Sequence, residues 1–140
     1  MKVIYILTHP VLVLSLFCTI MINGESFGGP YLLYVLMAIP HGGIHAILAL
    51  TGAGIILFGY GKYHRQSKFI IDPLLNIIGT FSLYLSLLFF FYRSWDYNEG
   101  TFAQTVPLLS IALFGAASFG SLIWSVTRFA KTKPNELPAY

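Results

Sequence analysis

Four apolar runs separated by short polar stretches set the pattern of this chain, over residues 3–22, 30–60, 69–92 and 106–130. A helix needs about 20 apolar residues to cross a hydrocarbon core of roughly 30 Å. Each run reaches that length. The pattern predicts an all-α polytopic transmembrane bundle of four helices, one domain over residues 1–130, with a polar tail, KTKPNELPAY, over 131–140. No internal repeat or interdomain linker interrupts it.

The second run is too long for a straight span. Residues 30–60 would make a helix of about 46 Å, roughly half again the thickness of the core. Pro40 removes a backbone donor and crowds the preceding turn, and Gly42 and Gly43 follow at once. The first expectation is a long second helix kinked or broken near Pro40. The second is a short interfacial helix over 30–39 followed by the true span.

The connections are NGESFGG (23–29), read as a turn, GKYHRQSK (61–68), which is basic, and SWDYNEGTFAQT (94–105), which is acidic and aromatic. Cytoplasmic loops carry the excess of Lys and Arg. With the N-terminus inside, Lys2, Lys62, Arg65, Lys68, Arg128, Lys131 and Lys133 fall on the cytoplasmic side and only Arg93 falls opposite. Both termini are therefore expected in the cytoplasm, with the protein in the plasma (inner) membrane. The N-terminal run exceeds the 7–15 residues or so of a signal core and no A-x-A pattern follows, so it reads as a retained first span.

Composition agrees. Of 140 residues, 56% are hydrophobic and 9% charged, against about 25% charged in soluble domains. The net charge of +3 comes from basic residues flanking the apolar runs, which argues against nucleic acid as a partner. Cys18 is the one cysteine. It permits no internal disulfide, and its apolar surroundings suggest an inert thiol.

Candidate chemistry centres on IPHGGIHAIL, residues 39–48. His41 and His45 are four apart, which puts both on one face of a helix. The pair lacks the acid and third ligand of familiar zinc motifs. If the second span began near Tyr31, His9, His45, Asp72 and Asn76 would share one level, with His41 one turn outward. If it began near Pro40, the cluster would dissolve. Ionisable residues are costly in lipid and usually face the bundle interior or water. Three roles follow for them. They could form a structural hydrogen-bond network, a haem or divalent-metal site, or a proton path. His9 with His45 is the workable haem pair. Asp72-Pro73 also suits a helix N-terminus, and Pro10 could kink the first helix.

The small residues suggest packing. Gly42, Gly43, Ala46, Ala49 and Ala53 on the second helix are matched by Ala112, Ala116 and Gly120 on the fourth, and small residues let backbones approach in lipid. The intramembrane serines (Ser82, Ser86, Ser110, Ser118, Ser121, Ser125) read as donors to backbone carbonyls. Phosphate-binding, nucleophile-elbow and HExxH motifs are all lacking. The expected function is a small integral membrane subunit or accessory protein more than an enzyme. It would act through helix–helix contacts with other membrane proteins or a second copy, with the apolar LLFFFY (87–92) left for partner or lipid. The alternative is a histidine-based haem- or metal-binding or proton-handling membrane protein built on His9, His41, His45 and Asp72.

Overall fold

The structure, a computed structural model, describes residues 9–24, 28–64 and 73–132. The chain is mostly helical. In order it forms α1 (Pro10–Cys18), β1 (Met21–Asn23), β2 (Gly28–Pro30), α2 (Tyr31–Ala38), a 3₁₀ turn (Ile39–His41) and α3 (Ile44–His64). Then follow α4 (Pro73–Arg93), two short helices α5 (Trp95–Asn98) and α6 (Gly100–Ala103), and α7 (Thr105–Thr132).

Three helices are long and apolar enough to cross a membrane, over Ile44–Gly61 in α3, Leu74–Arg93 in α4 and Thr105–Thr127 in α7. The first expected span is only partly represented. α1 has nine residues, or about 13 Å of helix, and residues 1–8 lie outside the described residues. His9 has an extended backbone and its Nδ1 accepts from the Val11 N–H at 3.3 Å. Pro10 therefore opens α1 instead of kinking it, at a position where its missing N–H costs nothing.

Beyond Cys18 the first apolar run leaves the helix. Met21, Ile22 and Asn23 pair antiparallel with Pro30, Gly29 and Gly28, so the expected turn is the loop of a small β-ribbon. The ribbon is tied down by the Met21 N–H donating to Ser110 Oγ at 2.9 Å and the Asn23 N–H donating to Thr101 Oγ1 at 3.0 Å. The segment after Arg93, expected to be a loop, holds α5 and α6. α7 continues to Thr132, two residues into the expected tail, and residues 133–140 lie outside the described residues.

The second apolar run is broken, not merely kinked. α2 ends at Ala38, and the 3₁₀ turn through Pro40 ends on Gly42 at φ +63°. That left-handed conformation suits glycine, which has no Cβ to clash. A fresh helix starts at Ile44, so the short-helix alternative describes the backbone and the continuous kinked helix does not.

α4 is the centre of the bundle. Half of its apolar window is buried, against 28% for α3 and 22% for α7. It packs closely along α3, where the backbones meet at Gly52 and Gly79. A Cβ on Gly79 would come within 2.6 Å of Ile56 Cγ1 and 3.0 Å of the Gly52 oxygen, and a Cβ on Gly52 within 2.8 Å of the Gly79 oxygen. α1 lies against α7, with the rings of Phe17 and Phe114 5.4 Å apart. The expected pairing of the second span with the fourth through small residues is not formed. Ala46 and Ala49 are buried, and Ala53 is half-buried. Ala112 and Ala116 face outward and Gly120 is half-buried.

Candidate functional site

The interior of this bundle combines an apolar core, including Phe17, Ile56, Leu83 and Phe114, with a set of buried polar side chains, and much of its exterior is apolar. Asn76, Thr80, Ser82, Ser86, Ser118, Ser121 and Ser125 are buried, while Leu74, Phe81, Leu88, Phe119 and Ile123 are exposed. The arrangement follows from helical spacing. Asn76, Thr80 and Tyr84 recur every four residues and share one face of α4, and Ser118, Ser121 and Ser125 share one face of α7.

The two faces meet in a polar seam. Asn76 Nδ2 donates to Ser125 Oγ at 3.1 Å and to Ser121 Oγ at 3.2 Å. Two turns along α4, the Tyr84 hydroxyl is 2.6 Å from Ser118 Oγ. Thr80 lies between them, 2% exposed, and its hydroxyl has no hydrogen-bond partner. The seam covers about 12 Å of α4, taking 1.5 Å per residue.

A second set of bonds joins α4 to α3 and α2. Ser82 Oγ donates to the Leu48 carbonyl at 2.8 Å and Ser86 Oγ to the His45 carbonyl at 2.6 Å. The buried Tyr31 hydroxyl is 2.8 Å from Ser86 Oγ. Around this node the rings of Tyr31, Tyr34, His45 and Phe90 pack edge-on or tilted, with centroids 5.1–6.3 Å apart. The half-buried His45 ring has the Tyr34 backbone as a hydrogen-bond partner, and its Nε2 is buried without one.

The histidine cluster does not assemble. His9 stacks edge-on against Tyr60, with centroids 5.0 Å apart. Tyr60 stands about 22 Å along α3 from His45 at 1.5 Å per residue. The two rings proposed for a haem are therefore at opposite ends of that helix. The cause is the late start of α3 at Ile44, which moves His45 away from the His9 end. His41 is exposed, and its Nδ1 lies 3.0 Å from the Met37 carbonyl. Because Gly42 breaks the helix between them, His41 and His45 do not share a helix face. Asp72 lies outside the described residues. Asn76 serves α7, not the histidines. Among the described residues no group of three or more His, Cys, Asp or Glu could hold a metal ion. Compared with family models, curated proteins and solved structures, the chain matches none.

Sequence reasoning missed the seam and the Gly52–Gly79 contact. A signal for the seam was present in the four-residue spacing of Asn76, Thr80 and Tyr84. The serines read from sequence as donors to backbone carbonyls, and Ser110, Ser118 and Ser125 do make such bonds. Their partners across the interface are a tertiary property.

Proposed function

We propose that this chain is a small four-span subunit or accessory protein of the plasma (inner) membrane, with both termini cytoplasmic, that works by helix–helix contact with another membrane protein or a second copy. The observation that carries the reading is the outward face of α7. Ala112 and Ala116 are exposed there, Gly120 is half-buried beside them, and among the described residues no helix covers the line they form. Small residues at such spacing let a second backbone approach closely, and van der Waals contact is a main source of association in lipid. The apolar exterior supports residence in a bilayer, where exposed alkyl and aromatic surface costs nothing, and the buried hydroxyls bonded between helices fit a setting without water.

The polar bonds support a structural role for the seam. Each buried hydroxyl or amide of α4 other than Thr80 is bonded to a neighbouring helix, which holds the bundle in one register. The haem alternative has no such support, because its two histidines lie too far apart to share an iron.

Ala116→Cys in native membranes tests the reading. Oxidation should give a single cross-linked species, either a dimer or a defined heterocomplex. Adding Ala112→Leu to that variant should leave the melt of the purified chain unchanged and abolish the cross-linked species. A monodisperse lone chain with transport or redox activity, unaffected by Ala112→Leu, would refute the proposal. Reporter fusions at residues 65 and 98 should land on opposite sides of the membrane; the same side for both would refute the topology.

A further inference from the structure

We propose that α2 and the 3₁₀ turn behind it lie inside the hydrocarbon of one membrane leaflet, on the Arg93 side, with acyl chains covering their outer face. The inference rests on the membrane reading above and goes beyond it, because α2 is too short to span and could equally have rested in water on the headgroups.

Depth comes first. The start of α2 is tied to the bundle through its side chain, the Tyr31 hydroxyl lying 2.8 Å from Ser86 Oγ, and through its backbone, the Tyr31 N–H donating to the carbonyl of Ile20, next to Met21, whose N–H donates to Ser110 Oγ. Ser86 lies seven residues before Arg93, about 10 Å further into the bundle at 1.5 Å per residue. The other end of α2 is fixed at nearly the same level. A Cβ on Gly43 would come within 2.8 Å of Ala38 Cβ, and Gly43 is two residues before His45, whose carbonyl accepts from Ser86. Both ends are thus well below the Arg93 end of α4, and α2 runs across the bundle at that depth.

The surface chemistry comes second. Tyr31 and Val35 are buried, while Leu32, Leu33, Leu36, Met37 and Ile39 are 40–54% exposed. Residues 28–44 contain no Asp, Glu, Lys or Arg. A helix resting in the interface normally carries a strongly polar face towards water, and α2 has none. Its exposed side is continuous with that of α3, where Ile44 and Ile47 are also exposed.

Part of the backbone is satisfied internally, although Pro30 gives α2 no side-chain cap. In hydrocarbon every backbone polar group needs an internal partner. The Tyr31 N–H donates to the Ile20 carbonyl at 2.6 Å, the Gly42 N–H to Ile39 at 3.2 Å and the Gly43 N–H to Ala38 at 3.0 Å. Pro40 has no N–H to give, and the ring of His41 folds back onto the Met37 carbonyl at 3.0 Å. His41 thereby caps the end of the half-depth element, a role that needs one ring N–H and no metal.

Tryptophan fluorescence in vesicles of purified protein tests this. Trp95 and Trp124 are replaced by Phe, and a single tryptophan is placed as Leu36→Trp, with Met37→Trp as a second position should the first disturb folding. Phe58→Trp, on the outward face of α3, is the lipid reference, and Glu99→Trp is the water reference. Phosphatidylcholine with brominated acyl chains should quench the α2 tryptophan as strongly as Phe58→Trp, and aqueous iodide should leave it unchanged. Iodide quenching equal to that of Glu99→Trp would overturn the proposal in favour of a surface helix. Insensitivity to both quenchers, with Phe58→Trp still quenched by lipid, would overturn it in favour of a protein cover such as a second copy. Failure of Phe58→Trp itself to respond to brominated lipid would remove the membrane reading and this inference with it.

Discussion

Replacing Gly79 with alanine adds a single methyl group at the closest approach in the bundle. That methyl would stand 2.6 Å from Ile56 Cγ1 and 3.0 Å from the Gly52 oxygen. Carbon atoms prefer about 3.5–4.0 Å, so α3 and α4 must separate by close to 1 Å or Ile56 must leave its position. Ile56 is fully buried and has little room to move. Overpacking of this kind costs about 1–3 kcal/mol. Alanine is the better helix former by about 1 kcal/mol, which offsets part of that cost. Gly54→Ala on α3 is the matched control, because nothing lies within 4 Å of its added Cβ and only the propensity gain remains. The expected difference between the two variants is therefore the overpacking cost alone, about 1–3 kcal/mol against Gly79→Ala. Reversible unfolding in mixed micelles, followed by tryptophan fluorescence, measures it. Adding Ile56→Ala should make the double variant less unstable than the two single effects combined, since the methyl then has space on one side. Equal stability of Gly79→Ala and Gly54→Ala would refute the backbone-to-backbone packing of α3 on α4.

Asn76→Leu should destabilise the bundle by about 1–2 kcal/mol in the same assay, since interhelical hydrogen bonds in membrane proteins average near 0.6 kcal/mol each and Asn76 bonds to both Ser121 and Ser125; additivity with Ser121→Ala would show that they do not interact. Tyr31→Phe should cost about 1 kcal/mol through loss of the bond to Ser86, and Ser86→Ala should cost more, because it also leaves the Tyr31 hydroxyl without that partner. Thr80→Val should be neutral or stabilising, because the threonine hydroxyl is buried without a partner and a methyl of similar size removes the desolvation cost; clear destabilisation would mean that this hydroxyl has a partner in the membrane. In a Cys18→Ser background, a short bifunctional thiol reagent should join a His9→Cys, Tyr60→Cys pair and fail to join a His9→Cys, His45→Cys pair, with the opposite result refuting the placement of the two histidines at opposite ends of α3.

What the sequence by itself determined was the class of the chain and much of its segmentation. Run length and the scarcity of charge are local quantities, so the apolar stretches now occupied by α3, α4 and α7 could be read directly. The break near Pro40 was legible too, because a missing N–H and two adjacent glycines act on the backbone whatever surrounds them. The kind of break was not. A kinked and a broken helix differ by one residue in the left-handed region, Gly42, and docking of α2 through Tyr31 and Ala38 accompanies that choice. Pairing was the other gap. The stripe of Ala112, Ala116 and Gly120 reads from sequence as a helix-packing line, yet small side chains do not say which neighbour they meet. The tertiary structure joins α3 to α4 through Gly52 and Gly79 and leaves that stripe outside. The histidines show the same limit, since α3 begins at Ile44 and so holds His45 about 22 Å along the helix from Tyr60, the residue His9 packs against, at 1.5 Å per residue. Local chemistry fixes what a segment can be; which side chains meet depends on register and packing between segments, and those are properties of the whole assembly of helices.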